Sequence, residues 1–290
     1  MKKQIAFWTI LGGLTAWTQP LSAQNQSTPR QSQPLSTQNQ STSAQNSSGV
    51  GQMARVDRVY GNEVVSSDNQ KLGRLNNLMV DLESGRILYA VIGEAGGRVA
   101  VAPQIFTSTQ PTAKELRVSE PKSKIDSAPK FNAEIDVAPE WGKTRFTENV
   151  YSHFGQQIWW QSTGPSDQGA FHNVHKASQV IGMKVKDASD QPLGKVEELV
   201  VNLPAGRIGY VILAPDAKFK LGNNLYALPP QAFTLSADQK QLVSGIDEKT
   251  LSSGPHFTAN QWPNLSDTSF ASQVYQHYGK QAWFQSSQAR

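Results

Sequence analysis

The chain has 290 residues, 27 Lys and Arg against 23 Asp and Glu, a formal net charge of +4 and no cysteine. That length suits about two domains, each able to bury its own core. The small charge, two units of which sit at Lys2 and Lys3 in the leader, argues against nucleic acid as a partner, which needs a concentrated basic face. The lack of cysteine excludes disulfides, thiolate metal sites, cysteine nucleophiles and lipoprotein processing.

Met1-Lys2-Lys3 is a positive n-region, Ile5 to Trp17 is an uncharged, mostly apolar run, and Leu21-Ser22-Ala23 offers a small residue before Gln24. This predicts a secretory signal peptide over 1–23. The apolar run is shorter than the ~20 residues that span a bilayer, and no later segment reaches that length, so no transmembrane segment is expected after cleavage. Residues 24–51 are nearly all Gln, Ser, Thr, Asn and Pro, with Ser22-Ala23-Gln24-Asn25-Gln26-Ser27-Thr28 echoed at Ser36-Thr37-Gln38-Asn39-Gln40-Ser41-Thr42. They cannot bury enough apolar surface to offset ordering entropy and are expected to be a disordered tether.

The rest is a tandem duplication. Leu72 to Tyr89 and Leu193 to Tyr210 align without a gap at an offset of 121 residues, each reading as strand, Gly-containing turn, strand. The opening strand is Glu63-Val64-Val65 with the turn Ser67-Asp68-Asn69-Gln70; its clearer counterpart is Val180 to Val185 with Asp187-Ala188-Ser189-Asp190. In the next strand the apolar residues are Leu75, Leu78 and Val80, and Val196, Leu199 and Val201. The same parity shift in both copies predicts a β-bulge at Asn76-Asn77 and at Glu197-Glu198, bending the strand as a small barrel requires. After Gly85 and Gly206, the strands Arg86 to Ile92 and Arg207 to Leu213 are apolar on both parities and must be covered on both faces.

A tight hairpin at Gly96-Gly97 in the first copy becomes a longer excursion through Leu221-Gly222-Asn223-Asn224 in the second, and both copies then read Pro-Gln-x-Phe, at 103–106 and 230–233. Phe146, Val150, Tyr151 and Phe154 before Gly155, and Phe270, Val274, Tyr275 and Tyr278 before Gly279, predict a short amphipathic helix with a C′ glycine, N-capped by Thr144 and Ser266.

Ile181-Gly182-Met183-x-Val185, Leu193-Gly194-Lys195-Val196-Glu197-Glu198-Leu199-Val200-Val201, Gly206-Arg207-Ile208-x-Tyr210-Val211 and the arrival at Tyr226-Ala227-Leu228-Pro229 together resemble the PRC-barrel family, named for the H subunit of the photosynthetic reaction centre and found also in the bacterial ribosome maturation factor. The first copy departs at its opening, Tyr60-Gly61-Asn62-Glu63. The resemblance implies a small, strongly bent antiparallel β barrel acting as a docking or assembly module, with no catalytic residue to carry over. The expected fold is mainly β: two tandem PRC-barrel-like barrels over 52–161 and 177–286, joined by a linker over 162–176, each capped by its short C-terminal helix.

Few residues suggest chemistry. His172 and His175 have a spacing that holds a metal on a helix, but no Asp, Glu or Cys cluster completes the set and they fall in the linker, so solvated histidines are the simpler reading and no metal or cofactor is expected. His153 and His277 recur beside the helix-ending glycines, where a hydrogen bond to the last carbonyls and the helix C-terminal charge explain them without catalysis. Arg86 and Arg207, with Lys71, Arg74 and Lys195, are candidates to dock an anionic partner, against the simpler reading of a solvated hairpin end. Trp159-Trp160 and Trp283-Phe284 either complete the two cores or stand exposed as a contact surface. No Gly-x-Ser-x-Gly elbow, His-Glu-x-x-His or phosphate-binding loop supports an enzyme. The chain reads as a non-enzymatic, exported protein-interaction or assembly module of the periplasm or bacterial envelope, with an unidentified protein partner and homo-oligomerisation left open. The alternative is a binding module for a small ligand, metal or cell-wall glycan.

Overall fold

A computed structural model describes residues 50–94, 97–110, 114–131, 144–159, 171 and 174–288. The expected leader, nearly all of the tether, Gly96, Trp160 and His172 lie outside the described residues. The first repeat runs β1 (Ala54–Arg55), α1 (Val56–Val59), β2 (Glu63–Val65), β3 (Lys71–Asp81), β4 (Arg86–Glu94), β5 (Gly97–Val101), a 3-10 turn (Pro103–Ile105), β6 (Glu115–Arg117), α2 (Lys122–Asp126) and α3 (Thr144–His153). The second runs β7 (Val174–Lys176), α4 (Ala177–Val180), β8 (Lys184–Asp187), β9 (Pro192–Asn202), β10 (Arg207–Pro215), a 3-10 turn (Ala217–Phe219), β11 (Asn224–Leu228), a 3-10 turn (Pro230–Ala232), β12 (Phe233–Leu235), β13 (Gln241–Ser244), α5 (Glu248–Ser252), β14 (His256–Thr258), α6 (Thr268–His277) and a closing 3-10 segment (Trp283–Gln288).

The bulges fall where the parity shift predicts them. Leu75 pairs with Ile92 and Asn77 with Val91, so Asn76 is the extra residue; Leu213 pairs with Val196 and Ile212 with Glu198, so Glu197 is the extra residue. Each repeat bends a second time in the partner strand, at Leu88 and at Gly209. The inner face is thereby restored, and Leu78, Val80, Leu199 and Val201 are fully buried. Close strand approach is bought by glycine at two equivalent places: a Cβ at Gly73 (φ 99°) would lie 2.6 Å from the Gly93 carbonyl carbon, and one at Gly194 (φ 154°) would lie 2.1 Å from the Ala214 oxygen.

The sheet is mixed rather than purely antiparallel. β6 lies parallel to β2 and β13 parallel to β8, one such pair per repeat, because the chain returns to the opening strand in its own direction after the Pro-Gln-x-Phe crossover. The opening of the first repeat, although its residues differ, follows the second: Gly61 (φ 72°) donates to the Leu75 carbonyl at 2.9 Å, as Gly182 (φ 92°) donates to that of Val196 at 2.8 Å.

Each repeat keeps its own curled sheet, yet the two are knit into a single fourteen-stranded one. β1 of the first repeat pairs with β9 of the second, Ala54 opposite Val201, and β7 of the second pairs with β3 of the first, His175 opposite Val80. The end of the expected linker is therefore a strand. At the centre β4 meets β10, Ile87 N–H donating to the Gly206 carbonyl and Ile208 N–H to that of Gly85, both at 3.0 Å. One continuous hydrophobic core runs through both repeats. Gly209, with no side chain, leaves the space that Met53 fills from the other repeat.

The bulges also hold the exchanged helices. Asn77 Nδ2 donates to Ser178 Oγ in α4 at 2.7 Å, and at the equivalent place Glu198 accepts from the Asp57 backbone N–H in α1 at 3.3 Å. Glu198 is 5% exposed, accepts from its neighbour Leu199 N–H at 2.9 Å and has Arg55 at 3.7 Å. Burial pushes its carboxyl up to about 7, with Asp57 adding repulsion, against the opposing pull of the two backbone donors and Arg55.

The closing helices have the expected apolar face, with Val150, Tyr151 and Phe154 and their counterparts Val274, Tyr275 and Tyr278 buried. Both end in a left-handed glycine, Gly155 (φ 64°) and Gly279 (φ 61°), followed by Gln156 N–H to the Tyr151 carbonyl and Lys280 N–H to that of Tyr275, each at 2.9 Å. The N-cap of α6 is Asp267 rather than Ser266: the Asp267 carboxylate accepts from Ser269 N–H at 2.7 Å, while Ser266 Oγ accepts from Met53 N–H across the repeats. Thr144 is the first residue of α3, and residue 143 lies outside the described set. His153 and His277 hydrogen-bond not to their own helix ends but to the carbonyls of Lys124 in α2 and Thr250 in α5, at 2.8 and 2.9 Å.

Because strands are exchanged and the core is shared, residues 46–290 should unfold in one cooperative step. Calorimetry is expected to give a single peak whose calorimetric and van't Hoff enthalpies agree; two resolved peaks would show independent repeats. Glu198 gives a second test. It binds a proton up to about pH 7 when folded, against an ordinary value of 4.5, so its stabilising contribution is complete below the ordinary value and is lost as pH rises through the folded one. Glu198→Gln keeps the length of the side chain and one of its two acceptor oxygens, and cannot ionise. Its unfolding free energy in urea should exceed that of the unsubstituted chain at pH 8 by about 1 to 3 kcal/mol, with the difference shrinking towards pH 5.

Candidate functional site

The β4–β10 junction is the centre of an approximate two-fold relation between the repeats, and residues near such a centre meet their own copies. Arg86 and Arg207 stand directly opposite one another. The two flanking hydrogen bonds make this a non-hydrogen-bonded pair, the closer of the two cross-strand spacings, with both side chains on one face of the sheet. Both are partly buried rather than extended from a solvated hairpin end.

The tryptophans of the two closing segments come to the same place. The Arg86 guanidinium carbon lies 3.7 Å from the centre of the Trp159 ring and that of Arg207 lies 5.6 Å from the Trp283 ring, so each cation is seated on an aromatic face. Trp159 and Trp283 are half-buried and Phe284 is buried, edge-on to Tyr275 at 5.8 Å. Trp159 Nε1 donates to the Tyr151 hydroxyl at 3.3 Å. Trp283 Nε1 lies near enough to the Tyr275 hydroxyl to favour its ionised form but without the geometry of a hydrogen bond, and that hydroxyl donates to the Gly209 carbonyl at 3.1 Å.

The Pro-Gln-x-Phe motif, kept in both copies, supplies the remaining wall. A Cβ on Gly85 would lie 2.5 Å from Gln231 Nε2 and one on Gly206 would lie 3.1 Å from Gln104 Nε2, so each glutamine packs on the turn glycine of the other repeat, one residue before an arginine. Gln104 Nε2 also donates to the Tyr151 hydroxyl at 3.4 Å. The Oε1 atoms of both glutamines are buried with no hydrogen-bond donor among the described residues. Sequence reading did not single out these glutamines; their retention at equivalent positions was the available signal.

The electrostatics of the junction are one-sided. No carboxylate lies within ion-pair distance of either arginine among the described residues. Burial, and then the charge of Arg207, push the Arg86 guanidinium down to about 10; burial lowers Arg207 as well. Burial raises the hydroxyls of Tyr151 and Tyr275, so neither phenol supplies a negative charge at neutral pH.

The remaining candidates lie elsewhere. His175 is buried in β7, its Nε2 without a partner among the described residues and its imidazole pushed down by burial. His172 and Trp160 lie outside the described residues, among which no group of three His, Cys, Asp or Glu is placed to hold a metal ion. Lys71 and Lys195 are engaged with Glu63 and Glu197 at 2.9 and 3.3 Å, and Arg74 donates to the Gly61 carbonyl at 2.7 Å. No helix among the described residues is long and apolar enough to cross a membrane.

Comparison with the curated proteins gives no match. The profile of the PRC-barrel domain matches residues 51–121 and 172–245, one match in each repeat and together half of the chain. The matched spans contain the bulged strands, the turn glycines and the Pro-Gln-x-Phe crossovers described above, and the chain belongs to the PRC-barrel domain family.

Proposed function

We propose that this chain is an exported, non-enzymatic interaction or assembly module of the bacterial envelope, which docks a protein partner on the face where its two repeats meet. The observation that carries the reading is the convergence of Arg86, Arg207, Trp159 and Trp283 on one junction of a continuous sheet. Arginine and tryptophan supply a large share of the energy at docking surfaces, and they do so best when held in place beforehand. Ile158, next to Trp159, is the large hydrophobic residue left exposed among the described residues, at 42%. Membership of a domain family not defined by catalytic residues supports the non-enzymatic part, and the leader-like residues 1–23 support export.

A photo-crosslinking amino acid placed at Ile158 in cells tests this. The control position is Lys240, exposed in the turn between β12 and β13 at the end of the sheet away from the junction. A discrete protein adduct is expected from position 158 and not from 240. Trp283→Ala should weaken capture by at least about tenfold. Equal adducts from both positions, or none from 158, would remove the docking claim.

A further inference from the structure

Two arginines stand directly opposite one another at the junction. Arg86 and Arg207 form the closer kind of antiparallel pair, a position at which like charges destabilise a sheet. Long side chains ordinarily escape such a conflict by turning away to water or to a carboxylate. Here each guanidinium is instead held over a tryptophan of its own repeat, at 3.7 and 5.6 Å, and neither has an acidic partner among the described residues. A cation seated on an aromatic face keeps its N–H edges free to form charged hydrogen bonds. The flanking Gln104 and Gln231 have buried carbonyl oxygens that find no donor among the described residues, although buried polar groups of this kind ordinarily have a partner.

We propose that Arg86 and Arg207 together form one binding site for a phosphate-type oxyanion on the approximate two-fold axis between the repeats. The chemistry favours phosphate over a single carboxylate. A carboxylate offers one edge, which one guanidinium fork occupies fully. A tetrahedral dianion offers edges to two forks approaching from different sides and neutralises both charges. The site is a property of the sheet junction and stands whether or not a protein docks over it. The ligand is either free phosphate or the phosphate group of an ester.

The test uses the purified chain in chloride buffer at pH 7.5, titrated calorimetrically with inorganic phosphate, with glycerol phosphate and with acetate, and melted with and without each. One phosphate per chain is expected, with saturation at about a hundred times Kd raising Tm by about 5 to 10 °C, beyond anything sodium chloride of equal ionic strength produces. Binding of both phosphates assigns the ester group and binding of inorganic phosphate alone assigns the free ion. Arg86→Gln and Arg207→Gln should each weaken phosphate binding at least about tenfold, while their Tm in chloride is unchanged or higher because the like-charge pair is gone. Arg207→Lys should fold and bind with intermediate affinity. Two phosphates per chain, acetate binding as tightly as phosphate, a Tm rise matched by chloride, or variants that respond to phosphate as the unsubstituted chain does would each overturn the shared site.

Discussion

The structure depends on two strands that are apolar on both faces. Ile87, Leu88, Tyr89, Ala90, Val91 and Ile92 in β4 are each at most 1% exposed, and Tyr210, Val211, Ile212 and Leu213 in β10 are fully buried. A strand with two apolar faces needs two covers. The bulged β3 and β9 curl around one side. The other side receives the closing helices, with Phe146 edge-on to Tyr89 at 5.3 Å and Phe270 edge-on to Tyr210 at 5.7 Å. Exchange completes the cover, since Met53 from the first repeat packs on Gly209 of the second. The exchanged strands and the shared core make the duplication one body in space.

Local periodicity made the bulges, the doubly apolar strands, the helix faces and the C′ glycines legible, because each is a pattern within a few residues that the second copy repeats. The linkage between the repeats was not legible. β1 has two residues and β7 has three, too few to carry any alternation, and their partners lie far away in sequence, Val201 for Ala54 and Val80 for His175. The reading of His153 and His277 erred for a similar reason: their acceptors, the Lys124 and Thr250 carbonyls, are supplied by separate short helices. Ser266 gave way to Asp267 as a cap because the serine hydroxyl was already committed to Met53. Arg86 and Arg207 could be singled out from their repeated position beside a turn glycine, but their meeting could not, because it follows from which edges of the two repeats are joined.

Pseudo-symmetry has its own chemical consequence. A duplicated chain folded about a two-fold relation brings each residue near the axis against its own copy. Apolar residues and glycines gain from this: Gly85 and Gly206 allow the strands to meet, and each receives a glutamine from the other repeat. Away from the axis the copies are free to diverge, as at the bulge residues Asn77 and Glu198, which hold the exchanged helices with different chemistry. There the neutral side chain satisfies its neighbours without a burial penalty, whereas the carboxyl at the other copy is strongly raised.

On the axis, divergence would have been the simplest relief for a like-charged pair, since a single change of either arginine to a neutral residue removes the repulsion. Instead the same residue stands at both positions, each on a tryptophan, with unpartnered amide oxygens beside the same turns. An interior arranged only for stability would put a carboxylate or an apolar side chain at one of these positions, because an uncompensated, partly buried cation loses hydration without a compensating partner. Among the described residues no carboxylate supplies the compensating charge; a bound anion with two faces would supply it, and the geometry that makes the free protein less stable at this point is the geometry that would receive it.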